Sequence, residues 1–402
     1  MLGLPNYFST SLVRFYSAPD YSSNMSPVPS PPIAIIGAGF AGMISGRCLK
    51  VMGIPFTIFD KRDSRQDTSH SITLRPWSYK PFAKVLEIDY QQLAEKDQKP
   101  DSNMSDSIYC PQGKIEDLLS GDLHVEYWQE LSEIEGLESQ MRRLLFTSYP
   151  LLGEILVKSQ LIVGADGVHS GVRHLVSPEV KLSILPYVVY YGSRRMTARR
   201  YKNGIAPHMK YPAMFQFRKE TQTLLRINPC LPNSLLDDDG YVHVKYTYSR
   251  PAHEKDPLFK PDREVWEAEN IPMELYYEIE GLKDLGPVFG DIFHPQKVRQ
   301  DKVLNWLMRS LLVPLEKLQE LADQGILLVG DAAHTMPILG SEGANWAIKD
   351  GIDLANYLAD NDFSRLRNFY EQRYPDWQQA VSESKRRLFD MHNYDHDIFE
   401  QG

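Results

Sequence analysis

Three stretches of this chain combine a glycine-rich turn with a carboxylate. The first is Gly37-Ala38-Gly39-Phe40-Ala41-Gly42, followed downstream by Asp60. The second is Gly164-Ala165-Asp166-Gly167. The third is Gly330-Asp331-Ala332-Ala333-His334, with Pro337, Gly340, Gly343, Ala344, Asn345 and Asp350 after it. A glycine loop that opens a helix offers aligned N–H groups and positive potential to a phosphate. Gly37 permits the tight turn, Gly39 lets the backbone approach a diphosphate, and Gly42 lets the helix pack on its strand. Asp60, at the end of the next strand, is placed to accept both hydroxyls of a ribose. It would repel a 2′-phosphate, despite Lys61 and Arg62 beside it. Asp166 either takes a sugar hydroxyl or fixes its own turn. Asp331 would accept a hydroxyl of an extended chain. The loop from Pro337 to Gly343 then aims a helix N-terminus at a ring that turns anionic on reduction. Two such sites at opposite ends of one chain require a long cofactor. FAD spans them, and NAD alone does not.

The elements that must hold these loops are readable from hydrophobic pattern. Residues 33–36, 56–59, 161–164 and 326–329 are short apolar runs, as in parallel strands buried on both faces. Helices are expected over 41–52, 79–86, 113–119, 303–321 and 345–359, and strands over 124–128 and 151–156. A long charged helix or helix pair over 364–391 is expected to break at Pro375. Between residues 182 and 295 the texture changes. Residues 214–218, 223–228 and 241–249 alternate, with Val242, Val244, Tyr246 and Tyr248 on one face, which predicts a mostly antiparallel sheet. Asp237-Asp238-Asp239-Gly240 reads as a hairpin tip, since no calcium-ligand spacing follows. The fold class is therefore α/β: a Rossmann-like FAD-binding domain interleaved with a mostly antiparallel β-sheet substrate domain, and C-terminal helices. The expected divisions are 1–31 (a disordered or targeting N-terminus), 32–181 (FAD-binding domain, first part), 182–300 (substrate sheet) and 301–402 (FAD-binding domain, second part, and C-terminal helices).

Composition narrows the class. With 402 residues, 42% hydrophobic and 24% charged, the chain is ordinary for a globular protein. A formal charge of −9 argues against a nucleic-acid partner. Cys48, Cys110 and Cys230 are widely spaced, which excludes a CxxC redox pair and a disulfide framework. No metal site is expected. No apolar run approaches the ~20 residues of a membrane span. A cytoplasmic location is the simplest reading. The stretch Met1–Ser17, with Ser residues, one Arg and no acid, offers a mitochondrial alternative, and Met25 an alternative start.

Taken in this order and spacing, the three motifs resemble those of class A, single-component FAD-dependent monooxygenases of the p-hydroxybenzoate hydroxylase fold. The resemblance covers about residues 33–390. It is close in 35–60, 161–173 and 326–353, and vague in 182–300. The texture of Tyr190–Arg195 and of Glu342-Gly343-Ala344-Asn345 is most similar to fungal members in natural-product pathways. The resemblance implies FAD held by Gly37, Gly39, Phe40, Ala41, Gly42, Asp60, Lys61, Arg75, Lys114, Asp166, Gly167, Asp331, Gly343, Ala344 and Asn345. It places Pro337, Gly340, Glu342 and Arg194 at the reacting centre. NADPH or NADH would reduce the flavin, O₂ would add at C4a, and the peroxyflavin would transfer one oxygen to a small hydrophobic aromatic or alkene metabolite.

Candidates for the substrate pocket are Tyr191, Arg194, Tyr211, Phe215, Arg226, Tyr246 and Trp306. Departures from the pattern are Ser341-Glu342, where members often carry Gln or glycine, and Lys114, where an Arg is common. The segments after Asp60 and over 120–160 are short for the family, which implies a more open cap. A non-redox cyclase or isomerase of the same fold is the alternative, and a flavin-binding redox sensor a further one. A flavin halogenase is discounted, because the chain has no Trp-x-Trp. The C-terminal stripe Leu366, Phe369 and Trp377 is expected to bury against the chain's own core, with monomer and homodimer both open.

Overall fold

Every side chain of the apolar run β1 (Ile33–Ile36) is buried. The computed structural model describes residues 33–60, 71–90, 93, 108–111, 115, 118, 119, 123, 125–127, 159–209, 214–228, 241–340, 342–361 and 365–393. The expected strand over 151–156 and the hairpin tip at 237–240 lie outside them. From β1 the chain runs through α1 (Phe40–Val51), β2 (Thr57–Asp60), β3 (Ser71–Leu74), α2 (Pro76–Val85), β4 (Ile108–Pro111), β5 (Val125–Tyr127), β6 (Leu161–Gly164) and α3 (Gly171–Val176). β1 pairs in parallel with β2 on one side and β6 on the other, and β2 pairs in parallel with β5. Continuous apolar runs suit this position, because helices cover both faces of a parallel sheet. β3 and β4 form a separate hairpin-like pair.

The second sheet is built from β8 (Tyr187–Thr197), β9 (Met214–Arg218), β10 (Thr223–Asn228), β11 (Tyr241–Pro251) and β12 (Lys302–Trp306). The short β7 (Ser183–Ile184) precedes it. Its order is β12-β8-β11-β10-β9, antiparallel throughout. The long strand β8 at its heart carries no alternating pattern in sequence, since its first eight residues are buried or half-buried, on both faces. Register divides the sheet into two faces. One carries Val188, Tyr190, Met196, Leu225, Ile227, Val242, Val244, Tyr246, Tyr248 and Val303. It forms a closed core with α5 (Met273–Gly281) and α6 (Gly286–Ile292), after the short α4 (Ala198–Gly204).

Residues 303–321 are not one helix. β12 pairs with β8 from Lys302 to Trp306, and the helix α8 (Leu315–Asp323) begins only after Pro314, with α7 (Pro295–Val298) and β13 (Arg309–Ser310) nearby in sequence. A proline in mid-helix removes a hydrogen bond and clashes with the preceding turn, so the apolar period across it belongs to two elements. β14 (Ile326–Leu328) then returns to the first sheet in parallel beside β6, giving the order β14-β6-β1-β2-β5.

Two helices end the described residues, α9 (Gly343–Asp360) and α10 (Leu366–Asp390). α9 lies so close on α1 that a Cβ at Gly351 would stand 2.8 Å from the Ala41 carbonyl oxygen. α10 continues through Pro375, contrary to the break expected there. Its buried stripe of Phe369, Tyr370, Arg373, Trp377, Ala380, Val381, Ser384 and Leu388 runs on both sides of the proline, so packing holds the helical path where propensity opposes it. The stripe buries in the chain's own core.

Tyr370 joins α10 to the strand that leads into the third motif. The Leu328 N–H donates to Tyr370 Oη at 2.7 Å, and the Tyr370 hydroxyl donates to the Leu328 carbonyl at 3.2 Å. Tyr370→Phe leaves both buried backbone groups unpaired. It should cost about 1–3 kcal/mol in urea unfolding, and an unchanged midpoint would show that these bonds carry no stability.

Candidate functional site

The glycine loop between β1 and α1 is held from three sides. Gly37 has φ of +110°, and a Cβ there would lie 2.5 Å from the Ala165 carbonyl oxygen, so only glycine fits. Its N–H donates to Phe59 O at 2.7 Å. The Ala38 N–H donates to Asp60 Oδ2 at 2.6 Å, so Asp60 shapes the loop as well as ending β2. α1 starts at Phe40 after an N-cap glycine, with no side-chain cap and no acid in its first turn. Its first N–H groups and its positive end are left to an anion. A Cβ on Gly42 would stand 1.9 Å from the Gly37 carbonyl oxygen.

Asp166 fixes its turn. Its Oδ1 accepts from Ser170 Oγ at 2.5 Å, and its Oδ2 accepts from the N–H groups of Gly171 and Val172 at 2.7 and 3.1 Å. It thus caps the start of α3, and Gly167 supplies a left-handed backbone with φ of +82°. Arg173, on α3, carries the effect onward. Its guanidinium donates to Val168 O at 2.7 Å, to Ala332 O at 2.8 Å and, more weakly, to Asp331 O at 3.5 Å. Burial lowers its pKa, and the charges of Asp166 and Asp331 oppose that. The second motif is thereby tied to the third.

The third motif is organised around Asp350 of α9, which is fully buried. Oδ2 accepts from the Gly330 N–H at 3.0 Å and from His334 Nε2 at 2.5 Å. Oδ1 accepts from Arg373 at 3.0 Å and Trp377 Nε1 at 2.8 Å, both on α10. Burial acts to raise the Asp350 pKa, but His334 and then Arg373 prevail and hold it at about 2. His334 is therefore a brace of the turn. Asp331 behaves in the opposite way. Burial pushes its carboxyl up, Asp350 adds to this, and His334 and Arg173 counter it.

At the N-terminus of α9, Asn345 is fully buried. Its Nδ2 donates to Thr73 O at 2.9 Å and its Oδ1 accepts from the Arg75 N–H at 2.8 Å, so the amide has one allowed orientation. Glu342, one turn earlier, is also buried. Its Oε1 accepts from Arg75 Nε at 3.1 Å and from Arg387 of α10 at 2.7 Å, while Oε2 is enclosed with no hydrogen-bond partner. Three elements meet on this one carboxylate.

The structure brings the three motifs together. Gly37 abuts Ala165 and Asp166, Gly330 lies against Ala41, and Gly343 lies against Asp331 Oδ1, where a Cβ would be 3.5 Å away. Pro337 is buried, and Gly340 ends the short turn Ile338–Gly340 before Gly343 and Ala344 open α9. Lys61, Lys114 and Tyr211 lie outside the described residues, as do residues 61–70 and most of 120–160.

Arg194 is not brought to this centre. It sits on the core face of the second sheet and donates to Asp301 Oδ2 at 2.6 Å and to Asp291 O at 2.6 Å. Tyr246, on the same face, donates to Asp301 Oδ2 at 2.7 Å, and burial raises its phenol pKa. Both residues are bound into that core, because β8 turns alternate side chains away from the loops. Tyr191, Phe215, Arg226 and Trp306 occupy the other face, by the pairings Tyr191↔Thr247, Arg226↔Thr247 and Arg226↔Phe215. The Tyr191 and Trp306 rings stack at 4.0 Å and 8°. On that face Val189 and Trp306 pack with Met308, Leu388 and Leu339, the last in the turn before Gly340.

The sequence reading missed Arg373 and Arg387, and gave Trp377 a packing role without its bond to Asp350. The signal available was Arg373 on the apolar stripe of α10, where an unpaired charge would not be retained.

The geometry fits FAD. A tight turn, closed against the protein's own backbone at Gly37 and Gly42 and open at Gly39, lies beside an uncapped helix N-terminus, with Asp60 at the neighbouring strand end and Asp331 beside Gly343. The fold and this site resemble those of class A FAD-dependent monooxygenases. Residues 313–380 match the FAD binding domain family. The chain is 27% identical over 401 residues to the FAD-dependent monooxygenase adaC of Aspergillus niger, covering 90% of this chain and 94% of that one. It is 28% identical over 415 residues to the FAD-dependent monooxygenase nscC of Neosartorya fischeri, covering 90% and 96%. Among solved structures it shares its fold with Klebsiella pneumoniae HpxO in complex with FAD and uric acid, at a TM-score of 0.59 and 15% identity over 92% of this chain and 90% of that one. The 2,6-dihydroxypyridine-3-hydroxylase of Arthrobacter nicotinovorans gives 0.60 and 13% over 94% and 96%. The chain is thus similar over most of its length to FAD-dependent monooxygenases, as the motifs implied.

Because the folded-state pKa of Asp350 lies below its ordinary 3.8, its ionised form stabilises the fold above pH 3.8. That contribution is lost as pH falls from 3.8 through about 2. Asp350→Asn breaks the buried pairs and should cost about 3–5 kcal/mol. Urea unfolding at pH 7 reads the loss, and the stability difference between wild type and variant should shrink as the pH falls toward 3. A difference independent of pH would exclude the charge as its source.

Proposed function

We propose that this enzyme uses NADPH or NADH and O₂ to insert one oxygen atom into a small aromatic or alkene-bearing metabolite, by hydroxylation or epoxidation, in secondary-metabolite biosynthesis. The observation that carries the reading is the stacked Tyr191–Trp306 pair on the sheet face that packs against the Ile338–Gly340 turn. An aromatic surface there is suited to a flat substrate held opposite the flavin ring.

Bound FAD supplies the two-electron store and the activation of O₂. The chain supplies placement and electrostatics. Gly37, Gly39, Phe40, Ala41 and Gly42 would hold the diphosphate at the α1 N-terminus, and Asp60 the ribose. Asp331 would take a hydroxyl of the connecting chain, with Gly343 leaving it room. Gly343, Ala344 and Asn345 open α9, whose N-terminal potential stabilises negative charge on the ring. Lys61, Arg75, Lys114, Asp166 and Gly167 support the same site in this reading, and Asp166 and Arg75 do so through the backbone they fix. Pro337 and Gly340 shape the turn under the ring, and Glu342 ties it to α10. The cluster of Val189, Met308, Leu339 and Leu388 excludes water from one side. Arg194 acts at a distance, by holding β8 in the sheet.

The decisive experiment is rapid-mixing reduction of the FAD-loaded enzyme by NADPH and NADH, with and without a panel of aromatic metabolites, followed by oxygen. Substrate should accelerate reduction, and O₂ uptake should match oxygenated product. Tyr191→Ala should lower the substrate-stimulated rate by about tenfold or more, as expected for loss of a stacked aromatic contact and its packing, with FAD still bound. Conversion of substrate without reductant or oxygen would replace this reading with a non-redox cyclisation or isomerisation.

A further inference from the structure

The helices on the core face of the second sheet form an outer layer, and their anchors give its order. α5 lies over the Tyr248 end of β11, where Glu278 meets Tyr248 and Arg250. α6 lies over the middle, where Arg194 donates to Asp291 O and Phe293, just past the helix end, meets the Tyr246 ring edge-on. α4 follows β8 at Thr197, which pairs with Tyr241, and Arg200 ties it to Asp291 of α6. Tyr241 and Tyr248 lie seven positions apart on one strand, so the layer α5, α6, α4 spans about 23 Å. That is close to the breadth of a standard protein interface, which covers roughly 800 Å² on each partner.

The two ends of this layer carry opposite charge. From Arg194 to Lys202 the chain has five basic residues and no acid. Arg199 and Lys202, three apart on α4, are exposed and form no ion pair among the described residues. Residues 262–284 instead hold eight acids and two bases. Glu269, Glu274 and Glu280 are exposed there and form no ion pair among the described residues. Large apolar side chains stand among these acids: Val265, Trp266, Met273 and Tyr277 are 72%, 65%, 45% and 61% exposed. Met273 and Tyr277, four apart, share one face of α5. Val265 and Trp266 open the short helical turn Val265–Glu269 that precedes it. Single exposed apolar residues are ordinary, whereas a group that includes Trp, Tyr and Met has the composition of an interface core.

A surface that is acidic and aromatic at one end and basic at the other complements itself after a half-turn about an axis through α6. α4 of one copy then meets α5 of the second, and the same contact forms twice, as two-fold symmetry requires. An axis through α5 would instead set acid against acid. We infer that this layer is the surface on which two copies of the chain associate. Trp266 and Tyr277 are its anchors, and the opposed charges of α4 and α5 set the orientation. The layer lies on the opposite side of the sheet from Tyr191 and Trp306, so association leaves the candidate site open in both copies. The inference is independent of the reaction proposed there.

The test is sedimentation equilibrium of the FAD-loaded full chain. Wild type should dimerise with a Kd on the order of micromolar, and the dimer should weaken as salt is raised. Trp266→Ala should weaken it by about tenfold or more, the scale of an interface anchor. The double variants Arg199→Glu/Lys202→Glu and Glu274→Lys/Glu280→Lys each reverse one end of the layer. Each alone should be monomeric where wild type is dimeric. Mixed in equal amounts they should form a heterodimer, because each then offers the charge that the other lacks. The thermal midpoint and bound-flavin absorbance of each variant confirm that it folds. Wild type that stays monomeric at about 100 µM, far above such a Kd, would overturn the assignment. So would folded charge variants that still dimerise alone, or a mixture of the two that stays monomeric.

Discussion

One buried carboxylate holds the cofactor end of this protein together. Asp350 lies at zero exposure on α9 and receives donors from Gly330, His334, Arg373 and Trp377. A bare carboxylate in such a place would protonate or open the structure to water. Complete pairing turns that cost into a constraint. The turn at Gly330 is held in its left-handed conformation, with φ of +58°, and α10 is fixed across it. Asp331, the neighbour proposed to take a cofactor hydroxyl, inherits its position from a residue enclosed by donors of the protein itself.

The same logic recurs at each motif. Asp166 spends its acceptors on Ser170, Gly171 and Val172, and Arg173 passes the positioning on to Ala332. Asn345 clamps the end of β3 through two opposed bonds. Glu342 joins Arg75 to Arg387. The conspicuous polar residues of the motifs thus mostly organise backbone, and in the proposed site that backbone would present N–H groups and helix ends to the cofactor. A preorganised dipole of this kind needs no rearrangement when charge develops beside it.

The second sheet serves two purposes through one pleat. Alternate side chains of β8 and β11 build an apolar core on one face and a polar, cationic surface on the other. A one-residue slip of register would exchange these faces. The neutralised arginines Arg194 and Arg250 lock the register from the core side. The far end of α10 covers part of the polar face, where Ser249 Oγ lies 2.9 Å from His392 Nε2. The His392 Nδ1 meets the Leu388 carbonyl at 2.8 Å, and burial lowers the ring's pKa to about 4. The imidazole is therefore neutral, with Nδ1–H donating to the carbonyl and Nε2 accepting from the serine.

Sequence by itself determined the glycine loops, the parallel strands that carry them and the α/β class with its antiparallel sheet. These follow from local rules: a tight turn needs glycine, a doubly covered strand needs a continuous apolar run, and a half-covered one alternates. Sequence went wrong at residues 303–321 and at Pro375, where neighbours in space override local preference in opposite directions. At the first, pairing with β8 makes a strand of an apolar stretch, and at the second, core packing carries a helix past a proline. Tertiary structure alone decided that Arg194 belongs to the core face, that Asp166 caps a turn, and that Asp350 is answered by residues of α10. Each of those outcomes depends on which distant side chain stands within hydrogen-bond reach, and spacing along the chain carries no record of that distance.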